Sequence, residues 1–229
     1  MKKTDKDFFS FPICLLKDIF EDKKRVLDNI IDYAVYKHTL KLEFNNDISK
    51  IKASAQYFGI TLGDNSKAYK NGKILYQTIP ENTPFAGISI VMLFDFYKNE
   101  KTDFDIDCLL AYLSIKSILG GKKYVKTNKN LLISRMSGQS KTININQIPE
   151  RLCKYFKDYH FKKLINELEI NWFLKYYSRY TRGFFVSFDI DITMETMILE
   201  IEKNKRSNKV KEFNDKKKQI IKQVLSGLK

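Results

Sequence analysis

The feature that most constrains the fold is a change of hydrophobic period within residues 159–190. In the first part, apolar residues recur at steps of three and four, which places them on one face of a helix. These residues are Phe161, Leu164, Ile165, Leu168 and Trp172. In the second part, two alternating runs are joined by a short polar loop that ends in Gly183. A period of two around such a loop predicts a β-hairpin, so the sequence predicts a helix followed by a hairpin.

The polar sides of these two elements are basic. The helix carries Lys162, Lys163 and Asn166 opposite its apolar face, and the tip of the hairpin carries Arg179, Tyr180 and Arg182. A hairpin tip has no core to serve, and arginine binds phosphate with a planar fork of donors. The two tip arginines are therefore strong candidates for contact with an anion.

Two further helices are predicted upstream. Residues 103–121 have apolar side chains in helical register, with acids near the start that complement the helix dipole. Residues 126–138 offer Thr127 or Asn128 as an N-cap and Gly138 as a C-cap.

In this order the elements resemble a winged helix-turn-helix domain spanning residues 85–192. The basic helix resembles the recognition helix, the Arg-tipped hairpin resembles the wing, and the upstream helices resemble the first two helices of the family. The resemblance implies DNA binding. The element order is also similar to that of replication initiators and transcription regulators of phages, plasmids and integrated elements, as a fold-level analogy.

The resemblance implies two roles for the polar residues of this module. One set would contact phosphate or enter the minor groove: Lys126, Lys129, Lys141, Lys154, Arg179 and Arg182. A second set, at the start of the last helix, would face base edges: Tyr159, His160, Lys162, Lys163 and Asn166. Tyr180, at the hairpin tip, is included in the expected DNA-binding surface.

Residues 139–159 depart from the family pattern, in which a turn of about three or four residues precedes the recognition helix. Either this segment is an insertion with its own short helix, or the recognition helix starts nearer Pro149 and bends close to Asp158.

The net charge of +14 makes a polyanion the expected partner, with nucleic acid first and an anionic membrane surface second. Residues 203–229 contain ten basic residues against two acids, and an intermittent apolar side predicts a basic amphipathic helix there. Lining a phosphate backbone, forming a homodimer and lying on a membrane all fit such a helix.

The fold class expected is mainly α with a small β-hairpin (α+β). Residues 8–60 are predicted to be helical, and 61–87, with its glycines and prolines, to be a connection. Residues 88–97 are predicted to be core. The expected divisions are a helical N-terminal region (1–84), the winged module (85–192) and a basic C-terminal helix or tail (193–229).

No apolar run approaches the roughly 20 residues that span a bilayer, and no signal-peptide pattern is present. The cysteines Cys14, Cys108 and Cys153 are odd in number and lie in apolar contexts, which favours buried free thiols in a reducing cytoplasm. The abundance of Lys, Asn, Ile, Phe and Tyr is typical of a low-GC bacterial or phage genome.

Recognisable catalytic motifs are missing from the sequence, which has only two histidines and neither zinc-ligand spacing nor a phosphate-binding glycine loop. The segment FDID occurs twice, and a metal-dependent nuclease would need clustering of Asp105, Asp107, Asp189 or Asp191. The first copy fits a helix start and the second a strand end. We therefore expect no enzyme, no metal and no cofactor.

The alternative is a non-enzymatic interaction protein, such as a phage structural protein or effector. In that case the winged module would contact protein, and the basic tail would serve solubility or membrane contact. A continuous positive face formed by the hairpin tip, the last helix of the module and the tail would favour DNA.

Overall fold

The computed structural model describes residues 8–44, 46–179 and 183–227. These residues are mainly helical, with two small antiparallel sheets. They form two compact units, divided between Ser187 and Phe188. The expected α+β class is confirmed at this level.

The first unit begins with a strand that pairs with the middle of the chain. Strand β1 (Phe8–Pro12) is antiparallel to β2 (Phe85–Ser89), with Phe9 opposite Ile88. The helical prediction for residues 8–60 is therefore wrong at its start, because alternate side chains of β1 are buried as in a half-buried strand. This pairing crosses the sequence-predicted boundary at residue 85, and both sides of it belong to one compact unit.

Three helices follow β1: α1 (Lys23–Thr39), α2 (Asp47–Phe58) and α3 (Asn65–Thr78). Each begins after a side-chain cap, from Asp22, Asn46 and Asp64 respectively, that accepts a hydrogen bond from a backbone N–H of the first turn.

Helix α3 corrects the prediction that residues 61–87 are a connection. It packs against α1 through Gly72, where an added Cβ would overlap the backbone oxygen of Asp32 and the Cβ of Tyr36. The Asn71 amide, one residue earlier, donates to Asn29 at 2.9 Å and to Asp32 at 2.8 Å. The glycine that suggested a loop is thus needed for close contact between two helices.

The centre of the first unit is α5 (Asp103–Leu119), which follows α4 (Ile90–Lys98). Thr102 and Asp105 form a reciprocal capping box at the start of α5. Side chains are buried around most of the helix. The prediction of a helix in residues 103–121 is confirmed. The core prediction for residues 88–97 is confirmed for Ile88, Leu93 and Phe96, whereas Val91 is exposed.

Strand β3 (Val125–Thr127) leads directly into α6 (Lys129–Met136), which is capped by Asn128. Gly138 follows α6 with φ of 76°, as expected of a C-terminal glycine.

Residues 139–157 connect α6 to the next long helix, and this connecting segment is called the insertion below. It contains a 3₁₀ turn (Ile145–Gln147), α7 (Glu150–Cys153) and a second 3₁₀ turn (Lys154–Phe156). Helix α8 (Asp158–Asn171) begins only after it. The additional short helix expected near Pro149 is therefore present, and the extended backbone of Lys157 separates it from α8.

The predicted hairpin consists of β4 (Lys175–Tyr177) and β5 (Phe184–Ser187). β5 also pairs with β3, so the strand order is β3-β5-β4 and all neighbours are antiparallel. At Gly183, with φ of 94°, a side chain would overlap the carbonyl oxygen of Thr127. Strand β3, which adds a third strand to the predicted hairpin, was not predicted.

The second unit contains α9 (Met194–Gly227). The Thr193 hydroxyl accepts a hydrogen bond from the backbone N–H of Thr196 at its start. Val210, Phe213 and Ile220 are exposed along α9, among the basic residues. The predicted C-terminal helix is confirmed as a helix. Within the described ranges, every helix falls short of the length or the hydropathy required to cross a bilayer.

The three cysteines are free thiols, as expected. Cys108 is buried on α5, and burial raises its pKa to about 12. Cys14 and Cys153 are only half-buried.

Candidate nucleic-acid interface

Helix α8 has one buried and one exposed face, as predicted. Phe161, Leu164, Ile165 and Leu168 are buried. The Phe161 ring lies 5.6 Å from the ring of Phe184 in β5, so the apolar face of α8 is seated partly on the three-stranded sheet. The opposite face is exposed and polar.

A shallow groove of about 660 Å³ runs along this exposed face. Its lining comes from α8 and from one residue of β4: Tyr159, Phe161, Lys162, Lys163, Ile165, Asn166, Glu169 and Tyr176. The groove brings together four of the residues expected to face base edges, namely Tyr159, Lys162, Lys163 and Asn166. It offers two ammonium groups, an amide and two phenols as hydrogen-bond donors.

The groove also holds one acidic group. Glu169 lies three residues after Asn166, and burial raises the pKa of its carboxyl group. It supplies a hydrogen-bond acceptor at the far end of a surface that is otherwise rich in donors. Sequence reasoning missed Glu169, although the spacing of three from Asn166 places both on one helix face.

The two groove lysines form no ion pair with any carboxylate in the described part of the chain. The ammonium of Lys163 lies 4.9 Å from the centre of the Phe104 ring, and Lys162 lies close enough to Asp158 to contribute to the lowered pKa of that carboxyl. The larger cause of that lowered pKa is a hydrogen bond from Lys129.

Lys129 was expected to contact phosphate, and its ammonium is bound within the fold. It pairs with Asp158 at the start of α8, donates to the carbonyl of Phe156 at 3.3 Å, and lies 4.9 Å from the ring of Phe161. These contacts tie the first residue of α6 to the first turns of α8.

Lys154 is also engaged inside the fold. Its ammonium lies 2.8 Å from Oδ2 of Asp107, a carboxylate on α5 with no exposed surface. The Tyr155 hydroxyl donates to the same carboxylate at 2.6 Å, and the Arg151 guanidinium lies 3.5 Å from it. Arg151 also pairs with Asp103 at 3.0 Å. This cluster fastens the insertion to α5.

The remaining expected DNA contacts are distributed around the sheet and the loops. Lys126 is exposed on β3, where its side chain passes near Gly183. Lys141 is exposed in the loop after α6, and Arg179 is exposed after β4. His160 is half-buried, with its ring 5.3 Å from that of Tyr159.

Tyr180 and Arg182 lie outside the described residues.

The end of α8 has two aromatic residues with opposite surroundings. Trp172 is half-buried, with its ring 5.2 Å from Tyr112 and 6.3 Å from Phe96. Phe173 is 78% exposed and has φ of 58°, a left-handed conformation that is rare for a bulky side chain. Ile170, in the last turn of α8, is also exposed.

Three of the four carboxylates considered for a nuclease have other roles. Asp105 belongs to the capping box of α5, Asp107 is bound to Lys154 and Tyr155, and the Asp189 carboxylate accepts from the backbone N–H of Asp191. Within the described ranges, His, Cys, Asp and Glu side chains do not gather in groups of three or more that would hold a metal ion.

Comparison of the chain with protein-family models, with curated protein sequences and with solved structures finds no match.

Proposed function

We propose that the protein binds duplex DNA and that the exposed face of α8 enters the major groove. The main observation that supports this proposal is the groove along α8, in which Lys162, Lys163 and Asn166 face solvent while the opposite side of the helix is buried. The 14 residues of α8 have a length of about 21 Å, and the major groove is about 12 Å wide. The helix is therefore long enough to present several side chains to base edges.

The order of elements supports the same proposal. Helices α5, α6 and α8, followed by the hairpin of β4 and β5, stand in the order that the resemblance to a winged helix-turn-helix domain implies, and β3, which that resemblance did not include, pairs with β5. The 139–157 insertion lengthens the connection before α8. The contacts of Lys129 and of the Asp107 cluster hold the start of α8 in place despite that length.

In this proposal the groove residues have distinct roles. Lys162 and Lys163 neutralise phosphates or donate to guanine, and Asn166 pairs with adenine. Glu169 accepts from the amino group of cytosine. Lys126 and Arg179, at the sheet and the hairpin, contact adjacent phosphates, and the basic residues of α9 add non-specific attraction. By fold-level analogy the biological setting is replication initiation or transcription regulation of a phage or mobile element.

The test is a gel-shift titration of the full chain on a random duplex at two salt concentrations. The double variant Lys162→Gln/Lys163→Gln is compared with Lys70→Gln/Lys73→Gln, a matched pair of exposed lysines on α3. Loss of two phosphate contacts should reduce the salt slope by about two and weaken binding by about 10- to 100-fold at low salt. Equal affinity for the wild type and both double variants would remove α8 from DNA binding.

A second candidate function, protein recognition, is favoured by the exposure of two large apolar side chains, Ile170 and Phe173, near the end of α8. Exposed aromatic residues are enriched at the anchor positions of protein interfaces. Absence of duplex binding even at low salt would favour this candidate, since a +14 chain with a DNA-reading helix must bind duplex there.

A further inference from the structure

A second cavity lies in the N-terminal part of the first unit, between β1, α1 and α2. It has a volume of about 380 Å³ and is lined by Phe8, Ser10, Ala34, Lys37, His38, Lys41, Tyr57 and Phe58. It shares no lining residue with the groove along α8. Its volume falls within the range of small-molecule sites, about 300–1,000 Å³.

The charge of this cavity is entirely positive. Lys37, His38 and Lys41 come from the last turn of α1 and the residues just after it, and no acidic side chain lines the cavity. Within the described ranges, neither lysine forms an ion pair with a carboxylate, and the Lys37 ammonium lies 4.2 Å from the centre of the Phe85 ring. Burial, with a smaller contribution from Lys41, lowers the pKa of both Lys37 and His38. A bound anion would reverse that effect.

The other side of the cavity is aromatic. The His38 ring stacks on Tyr57, with ring centres 4.2 Å apart and planes at 20°, and the Phe58 ring lies 5.5 Å from His38. A hydrogen bond of 3.0 Å between His38 Nδ1 and the Ser54 hydroxyl orients the imidazole. The wall is therefore held in place by α1 and α2 together.

Cations beside ordered aromatic rings form a surface for a ligand that has both a phosphate and a planar ring. We propose that this cavity binds a small phosphorylated aromatic compound of the mononucleotide class. Lys37 and Lys41 bind the phosphate, the Ser10 hydroxyl supplies a further hydrogen bond, and Tyr57 and Phe58 contact the base. The cavity is too small for a duplex, and this inference is independent of DNA binding by α8.

The test is isothermal titration of the full chain with AMP, GMP, CMP and UMP, alongside inorganic phosphate and the four nucleosides. At least one mononucleotide should bind about tenfold or more tightly than both its nucleoside and phosphate alone, because each lacks half of the contacts. Binding of phosphate as tight as that of every nucleotide, or heat from none of the nine compounds, would overturn the proposal.

Variants then locate the site. Lys41→Gln alters an exposed residue and should weaken nucleotide binding by about tenfold, the effect of one charge-assisted hydrogen bond. Lys52→Gln on α2, also exposed and outside the cavity lining, should leave binding unchanged. Equal affinity for Lys41→Gln and wild type, with unchanged circular dichroism, would exclude this cavity as the site.

Discussion

The insertion (139–157) and the exposed face of α8 adjoin in sequence and are both rich in cations, but the cations of the two regions have different surroundings. In the insertion, Arg151 and Lys154 contact the fully buried carboxylate of Asp107. On α8, Lys162 and Lys163 have no such partner among the described residues and line an open groove. The difference between these two regions lies in contact with a buried carboxylate and not in the number of cations: Asp107 holds Arg151 and Lys154 within the fold, whereas Lys162 and Lys163 are left on the surface of the groove.

The largest effect is expected from removing the carboxylate that holds the insertion. Asp107→Ala leaves the Tyr155 hydroxyl and the Lys154 ammonium without their acceptor, and breaking such a buried pair costs about 3–5 kcal/mol. Urea denaturation measures this loss in the free energy of unfolding. Glu81→Ala, at an exposed turn, is the control and should stay within about 0.5 kcal/mol of wild type. A loss of less than about 1 kcal/mol in the free energy of unfolding of Asp107→Ala would contradict the structural role assigned to this carboxylate.

The next prediction distinguishes a lysine that binds the buried carboxylate of Asp107 from a lysine that lines the groove on α8. Lys154→Gln removes a charged hydrogen bond to Asp107 and should lower the free energy of unfolding by about 1–3 kcal/mol. Its affinity for duplex DNA at low salt should stay close to that of wild type, because the ammonium already has a partner. Urea denaturation and gel-shift titration are run on the same preparation. Weaker DNA binding without a loss of stability would assign Lys154 to the ligand instead.

Lys162→Gln should give the opposite result at a smaller magnitude. Stability should remain within about 0.5 kcal/mol of wild type, since the residue is exposed. The slope of log affinity against log salt should fall by about one, as expected for one phosphate contact. Gel shifts at four salt concentrations measure the slope. An unchanged slope combined with lower stability would make Lys162 a structural residue like Lys154.

A last prediction concerns a carboxylate whose hydrogen-bond donor is an amide and not a cation, and its effect is confined to a narrow range of pH. Burial raises the pKa of Asp32 to about 6 from 3.8, and the hydrogen bond from Asn71 opposes this only in part. Between these values the folded chain keeps a proton that the unfolded chain has lost, so stability falls as pH rises from about 4 to 6.

Asp32→Asn should remove that part of the pH dependence and flatten the stability curve above pH 4. Urea midpoints at several pH values test this. Asp64 caps α3 and lines the same surface pocket as Asp32. Asp64→Asn, which keeps a capping side chain, is therefore the control. A pH profile identical to that of wild type would contradict the assignment to Asp32.

The sequence was sufficient to predict the helices that have bulky apolar stripes and clear ends. Helices α5, α6 and α8 and the hairpin were predicted because their apolar periods are strong and Asn128 and Gly138 mark the ends of α6. Helix α3 was missed because its buried residues are Ala68 and Gly72, which leave no bulky stripe to detect. Strand β3, at three residues, is too short to show a period.

The candidate site was predictable only in part. The exposed face of α8 follows from helical spacing, so Lys162, Lys163 and Asn166 were identified correctly as neighbours on one surface. The internal contacts of Lys154 were not predictable, because Asp107 lies on another helix and the link between Asp107 and Tyr155 spans 48 residues. Spacing along the chain gives no information about such a pairing.

Trp172 is the single tryptophan of the chain, and it lies against Tyr112 and Phe96 where α8 ends. The intrinsic fluorescence excited through indole therefore originates from one place in the molecule. Separation of α8 from α4 and α5 would expose the indole to water and shift its emission to longer wavelengths. The protein thus contains a built-in optical probe for the seating of the helix on which the proposed DNA contact depends.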